Sequence, residues 1–257
     1  MRTFVISDAH GYPELIKNAL RHGRFDPDCD AFVYAGDLVD RGPDPEGCIE
    51  LVERYATEVL LGNHDVGVLL DLPVFPQDPQ SPGLRPFFLE KVVTPNASSA
   101  WKVATAVEGV LITHAGVSSR YTWALQEDCQ GDPARLAEQL NTAFRAVVGR
   151  EPPVREWDDY GILSEDGPLW FRPRPYSYLL PAAGCNQVVG HTPPLPELEA
   201  LGFYMIDPCA FEGMADPGRY RYAVIQAGRV RAEEGTLGRN GASLPLSKPH
   251  LTEARRR

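Results

Sequence analysis

The sequence has no Cys-x-x-Cys pair. Its five cysteines, Cys29, Cys48, Cys129, Cys185 and Cys209, are odd in number and scattered along 257 residues. That pattern excludes a four-cysteine zinc site and disfavours a disulfide framework, so a reduced, cytoplasmic setting is expected. Long apolar runs are missing too, and none approaches the length of a membrane-spanning helix. The opening MRTFVISDAHG carries one basic residue before a short apolar stretch, too little for a secretory leader, and reads as a first strand. Positive charge is scarce: 25 Lys and Arg stand against 35 Asp and Glu, a formal net charge of −10. General nucleic-acid binding rewards the opposite balance, so neither nucleic acid nor a membrane is expected as a partner. An acidic chain that handles phosphate must supply cations locally, as a few arginines or as bound metal ions.

What is present is a 43% apolar composition, enough for a globular chain with a sizeable core. No internal repeat or low-complexity block occurs. Short apolar runs end in polar clusters: TFVIS at Asp8, AFVYA at Gly36-Asp37, EVLL at Gly62-Asn63-His64-Asp65, GVLIT at His114 and QVVG at His191. Rich in Val, Ile and Phe and bounded by glycine, they read as buried strands. Helical patterns lie between them. Pro13 to Arg21 puts Leu15, Ile16, Ala19 and Leu20 on one face, with a proline suited to the first turn. Cys48 to Tyr55 and Pro133 to Val148 read similarly.

Alternating strands and helices predict an α/β architecture. In such sheets ligands gather at the carboxyl ends of strands, where each of these clusters falls. Three stretches are less regular. Leu72 to Pro95 is proline-rich and suits a loop or a cap over a site. Arg150 to Pro181 is rich in Pro, Trp and Arg. From about Glu233 the chain is polar and ends in three arginines. The expected organisation is one domain over residues 1–232 and a polar, flexible tail over 233–257.

Four of the six histidines, His10, His64, His114 and His191, stand at the ends of apolar runs. Asp8 and His10 are two apart, so at a strand end both face the same way. Taken singly, each cluster is better read as a turn, a cap or a satisfied core residue. Five of them at the same end of predicted strands make a different case. Carboxylate, amide and imidazole together suit a borderline divalent ion such as Mn, Fe or Zn. The ligands outnumber the needs of one ion and match two ions sharing a carboxylate.

In order and spacing, DAHG (Asp8 to Gly11), GDLVDRG (Gly36 to Gly42), GNHD (Gly62 to Asp65), THAG (Thr113 to Gly116) and GHT (Gly190 to Thr192) resemble the calcineurin-like metallophosphoesterase superfamily. VDRG resembles the branch holding phosphoprotein phosphatases and bacterial symmetrical diadenosine tetraphosphatases. The likeness runs from Arg2 to Val224. It implies a four-layer α/β/β/α sandwich with two mixed sheets and a metal site at the carboxyl ends of strands. It also implies one ion held by Asp8, His10 and Asp37, and a second held by Asp37, Asn63, His114 and His191. Mn is the expected metal, with Fe and Zn as alternatives. A hydroxide between the ions would attack phosphorus directly, without a covalent enzyme intermediate.

On the same resemblance His64 is the general acid and Asp40 its orienting partner. Arg41 and Asn63 would bind the substrate phosphate, joined by Arg172 from GPLWFRPRP, with Arg174 as the other candidate. Asp65 is left between a supporting partner and a turn residue, and Trp170 and Phe171 between base stacking and core. FYMIDPCAFEG resembles the strand after GHT, where Asp-Thr-Gly is usual; Pro208-Cys209 departs from that pattern. His22 and His250 lie outside every motif and read as surface residues.

The first substrate reading is a phosphomonoesterase of the serine/threonine protein phosphatase type, because a complete acid pair suits an alkoxide leaving group. The alternative is a symmetrical dinucleoside polyphosphate hydrolase, which LGNHDVGVLL resembles. A third reading, a non-catalytic metal- or phosphopeptide-binding adaptor, gives no reason for an intact acid pair. The expected partner is accordingly a phosphoprotein, a small phosphoester or a dinucleoside polyphosphate.

Overall fold

In the computed structural model, residues 1–257 are described except 94–100, 120, 122–130, 152, 155, 158–160, 175–180, 182–183, 210–218 and 237–257. Cys129, His250 and the arginine-ended tail lie outside the described residues. The strands are β1 (Thr3–Ile6), β2 (Ala31–Ala35), β3 (Glu58–Leu60), β4 (Ala104–Val107), β5 (Val110–Thr113), β6 (Gln187–Val189), β7 (Phe203–Met205), β8 (Arg219–Gln226) and β9 (Arg229–Thr236). The helices are α1 (Pro13–His22), α2 (Pro45–Tyr55), α3 (Asn63–Leu70), α4 (Arg85–Val93) and α5 (Pro133–Val148).

One sheet runs β3-β2-β1-β8-β9 and the other β4-β5-β6-β7. In the first, β1, β2 and β3 are parallel and β8 and β9 are antiparallel additions. In the second, β4 is antiparallel to β5, while β5, β6 and β7 are parallel. Both sheets are mixed, as expected.

The period of two along each strand sorts its side chains between layers. Val5, Val33, Ala35 and Leu60 meet Val110, Ile112 and Val188 between the sheets. Their neighbours Phe4, Ile6, Phe32 and Tyr34 join Leu15, Ile16 and Ala19 of α1 and Cys48, Ile49 and Val52 of α2. Leu111 joins Leu136, Leu140 and Phe144 of α5, while Val189, Phe203 and Met205 face Leu198. Each such aliphatic or aromatic side chain contributes about 1.5–3 kcal/mol on burial. The result is the expected sandwich of helix, sheet, sheet and helix.

Local sequence explains the helix starts. Asp132 accepts hydrogen bonds from the N–H groups of Ala134 and Arg135, and Pro133 opens α5. Asp44 does the same for α2 through Gly47 N–H at 2.8 Å. The helix therefore begins at Pro45, three residues before the expected Cys48. Part of the stretch read as irregular, Leu72 to Pro95, is α4. Phe88 and Val92, one turn apart, are buried on it, and Phe88 packs edge-on against Trp101. β9 crosses the boundary expected at residue 232, pairing with β8 from Gln226↔Arg229 to Arg219↔Thr236.

Candidate metal centre

The ends of β1, β2, β3, β5 and β6 deliver their polar clusters to one buried place. Asp8, His10, Asp37, Asp40, Asn63, His64, His114 and His191 are all buried there. Delivering them strains the backbone. Asp8, His10, Asp37, Asp40, Arg41 and His191 have φ of 53°, 44°, 62°, 70°, 64° and 60°. Each such non-glycine residue costs on the order of 1–3 kcal/mol and persists only where its surroundings hold it. Tyr34 is one such hold: its hydroxyl accepts from Ala9 N–H and donates to the Asp37 carbonyl, both at 3.0 Å.

Asp37 is the centre. Its Oδ2 lies 3.3 Å from His10 Nε2 and 3.4 Å from His114 Nε2. The other nitrogen of each ring faces a backbone carbonyl, His10 Nδ1 that of Val39 at 2.8 Å and His114 Nδ1 that of Ala35 at 3.0 Å. A carbonyl only accepts, so both Nδ1 atoms carry the proton and each Nε2 is turned toward Asp37. Ligand atoms of His10, Asp37 and His64 lie within 4.8 Å of one another, as do those of Asp37, His114 and His191. Two groups sharing one carboxylate suit a pair of cations.

The electrostatics agree. Burial would raise the Asp37 carboxyl, but the charges of His114, His64 and His10 hold it well below the usual carboxylate range. Burial would lower His114, yet Asp37 and Asp8 push it up to about 10. Burial, then the charges of His114 and Arg172, push His191 well below its ordinary value, so its ring is neutral. Among the described residues, the buried Nε2 of His191 finds no hydrogen-bond partner, and that of His10 has only the Asp37 oxygen at 3.3 Å. Buried polar atoms are normally satisfied, and a metal ion satisfies an imidazole nitrogen. Asn63 joins them, its Oδ1 standing 3.0 Å from His114 Nε2. The donor set fits two divalent cations.

Asp8 lies at the edge. Its Oδ1 is 4.0 Å from His10 Nε2, and its two oxygens accept from His191 N–H at 3.2 and 3.1 Å. Burial pushes Asp8 up to about 6, with His114 opposing and Asp37 adding. His64 takes the third place in the first group, but its ring is already engaged. Nδ1 is 2.5 Å from Asp40 Oδ2, and Nε2 is 3.3 Å from Arg41 Nη2.

The family model for calcineurin-like phosphoesterases matches residues 1–212. The chain belongs to that family. It is 42% identical over 62 residues to "Serine/threonine-protein phosphatase 1" of Salmonella typhimurium, a match covering 24% of this chain and 29% of that protein. It is 28% identical over 170 residues to "Bis(5'-nucleosyl)-tetraphosphatase, symmetrical" of Glaesserella parasuis, covering 63% and 62% of the two chains. The chain thus spans less than two thirds of the length of these curated relatives. A cold-active protein tyrosine phosphatase superposes with a TM-score of 0.60 at 18% identity over 90% of this chain and 78% of that one, a likeness of fold.

The structure also places the residues that the sequence left open in this calcineurin-like chain. Asp65, left open by the sequence, is a supporting partner. Its Oδ2 accepts from the N–H groups of Asp37 and Gly62 at 2.8 and 3.0 Å, and its Oδ1 from Leu38 N–H at 2.9 Å. Arg172 is exposed and donates to the His191 carbonyl at 2.9 Å; partial desolvation of its guanidinium lowers its pKa, with the charges of Asp207, Asp8 and Asp37 opposing. Phe171 is in the core beside Phe203, whereas Trp170 is half-buried with its ring 5.6 Å from that of His191. His22 is exposed, with Nδ1 2.9 Å from the Tyr222 hydroxyl.

Sequence reasoning passed over Asp207 and Ser81. Asp207 is buried behind Asp8; burial, then the Asp8 charge, push it up to about 7. It accepts from Cys209 N–H at 2.7 Å. Cys209 has φ of 58°, the left-handed conformation that glycine adopts freely. The signal available was Asp207 itself, a carboxylate closely after a strand. Ser81 had no signal, standing in a proline-rich stretch far from any motif.

Proposed function

We propose that the chain hydrolyses phosphoric esters or anhydrides with the help of two divalent ions. The observation that carries this is Asp37 Oδ2, set between the Nε2 atoms of His10 and His114 whose Nδ1–H groups are tied to backbone. Asp8, His10 and Asp37 would hold one ion and Asp37, Asn63, His114 and His191 the other, with Mn the first candidate metal. Once bound, the ions supply Lewis acidity, which makes a nucleophile of water at neutral pH and offsets phosphoryl charge. The rest falls to the chain's own groups.

Arg41 and Arg172 bind and orient the phosphate, and Asn63 donates to it. Arg41 Nη2 stands against His64 Nε2 before substrate arrives. A phosphate that draws the guanidinium away frees Nε2 to carry a proton. Asp40, against Nδ1, fixes the orientation of the ring. His64 then delivers that proton to the leaving oxygen.

The substrate class we infer is a dinucleoside polyphosphate cleaved symmetrically, the reading the sequence put second. It is supported by three curated relatives that match 59–63% of this chain and carry the symmetrical tetraphosphatase name. The serine/threonine phosphatase reading keeps two observations in its favour, the 42% identity over 62 residues to a relative of that name and the His64–Asp40 pair, which an alkoxide leaving group needs more than a nucleotide does. The test is turnover by Mn-reloaded protein of diadenosine tetraphosphate, a phosphothreonine peptide and p-nitrophenyl phosphate, with products identified. ADP as the sole nucleotide product at the fastest rate supports the proposal. Fast peptide dephosphorylation with slow dinucleotide cleavage overturns it in favour of the second reading.

A further inference from the structure

We propose that Ser81 is a positioning residue for the proton donor, acting through Asp40. This rests on the reading of His64 as general acid. Asp40 is a buried carboxylate with two differently occupied oxygens. Oδ2 faces His64 Nδ1 at 2.5 Å, while Oδ1 accepts from the Ser81 hydroxyl at 2.5 Å and from Asp78 N–H at 2.9 Å. Both donors to Oδ1 come from one turn, in which Ser81 N–H also bonds the Asp78 carbonyl at 3.0 Å and Gln80 N–H the Asp78 side chain at 2.8 Å. Ser81 is 1% exposed, so water does not compete for the bond.

The geometry gives this clamp a task. A carboxylate with a single partner rotates about its last side-chain bond, and a ring that follows it loses its aim. Two fixed donors on Oδ1 set the plane of the carboxylate and leave Oδ2 directed at the imidazole. They come from a segment more than thirty residues further along the chain, and that segment is itself pinned. Trp157 Nε1 donates to the Pro73 carbonyl at 2.9 Å, and Val74 is buried where a Cβ on Gly67 would strike it. The stretch over 72–84 is a brace behind the acid pair.

A residue that only props up the fold lowers all turnover together. A residue that aims the acid lowers turnover in proportion to how badly the leaving group needs a proton. The experiment compares p-nitrophenyl phosphate, phenyl phosphate and an alkyl phosphate in Mn-loaded wild type, Ser81→Ala and His64→Asn. The quantity read is the ratio of kcat values between poor and good leaving groups within one preparation, which does not depend on the fraction folded. Ser81→Ala is expected to lower the phenyl to p-nitrophenyl ratio about tenfold with little change in KM, and the alkyl ratio at least as much. An unchanged ratio in Ser81→Ala, with a lowered ratio in His64→Asn, overturns the role of Ser81 alone. An unchanged ratio in His64→Asn overturns the acid reading beneath it.

Discussion

Nε2 of His114 stands 3.4 Å from Oδ2 of Asp37, and both side chains are closed to solvent. His10 approaches the same oxygen from another strand end, at 3.3 Å. One carboxylate oxygen therefore serves two rings, each fixed by a backbone carbonyl at its Nδ1–H. An ion pair alone gives no reason for the second imidazole, or for the buried His191 Nε2 that finds no hydrogen-bond partner among the described residues.

Replacing that oxygen tests its role. Asp37→Asn is expected to fold and to bind at most one ion, with turnover down by at least about a thousandfold. Elemental analysis of the purified variant checks this, and two retained ions would contradict a bridging Asp37.

Metal binding should release protons. In the metal-free protein His114 is raised to about 10 by Asp37 and Asp8 against the effect of burial, so below that pH its Nε2 is protonated. A ligand must shed that proton, so affinity rises with pH, by about tenfold per unit around neutrality. Below about 6, where Asp8 also takes up a proton, the fall should steepen. Calorimetric titration in buffers of different protonation enthalpy measures the proton count, and a pH-independent affinity would contradict the prediction.

Gly62 packs its Cα against the Asp37 carboxylate, and a Cβ there would overlap Oδ1. Gly62→Ala should weaken metal binding by at least about tenfold and cost roughly 1–3 kcal/mol of stability. Metal titration beside urea unfolding separates the two effects.

Much of this centre was legible because function sits where hydrophobic pattern stops. Asp8, Asp37, His64, His114 and His191 each end an apolar run, and a strand aims the residues at its carboxyl end. α1 and α5 were legible because a proline and an apolar face mark them. α3 was not. From Asn63 to Leu69 every residue is buried, so it has no polar face to reveal its period. β9 was hidden by its polar composition; it is a sheet edge whose pairing with β8, more than burial, makes it a strand. Ser81 reaches the centre only through tertiary folding, and no local spacing connects it to the motifs; Asp207 offered only its place two residues after β7.

Tyr34 ties β2 to the loop after β1 through its hydroxyl. Tyr34→Phe leaves the Ala9 N–H and the Asp37 carbonyl without that partner. A loss of about 1–2 kcal/mol is expected in denaturant unfolding, together with weaker metal binding, because the loop then holds its strained residues less firmly. Unchanged metal affinity at reduced stability would limit Tyr34 to the fold.

The most direct test of a shared carboxylate is electron paramagnetic resonance of metal-stripped protein titrated with Mn. The arrangement around Asp37 predicts two ions per chain and, at full loading, the spectrum of an exchange-coupled pair, lost in Asp37→Asn. A spectrum of isolated Mn at every loading, or saturation at one ion per chain, would contradict it.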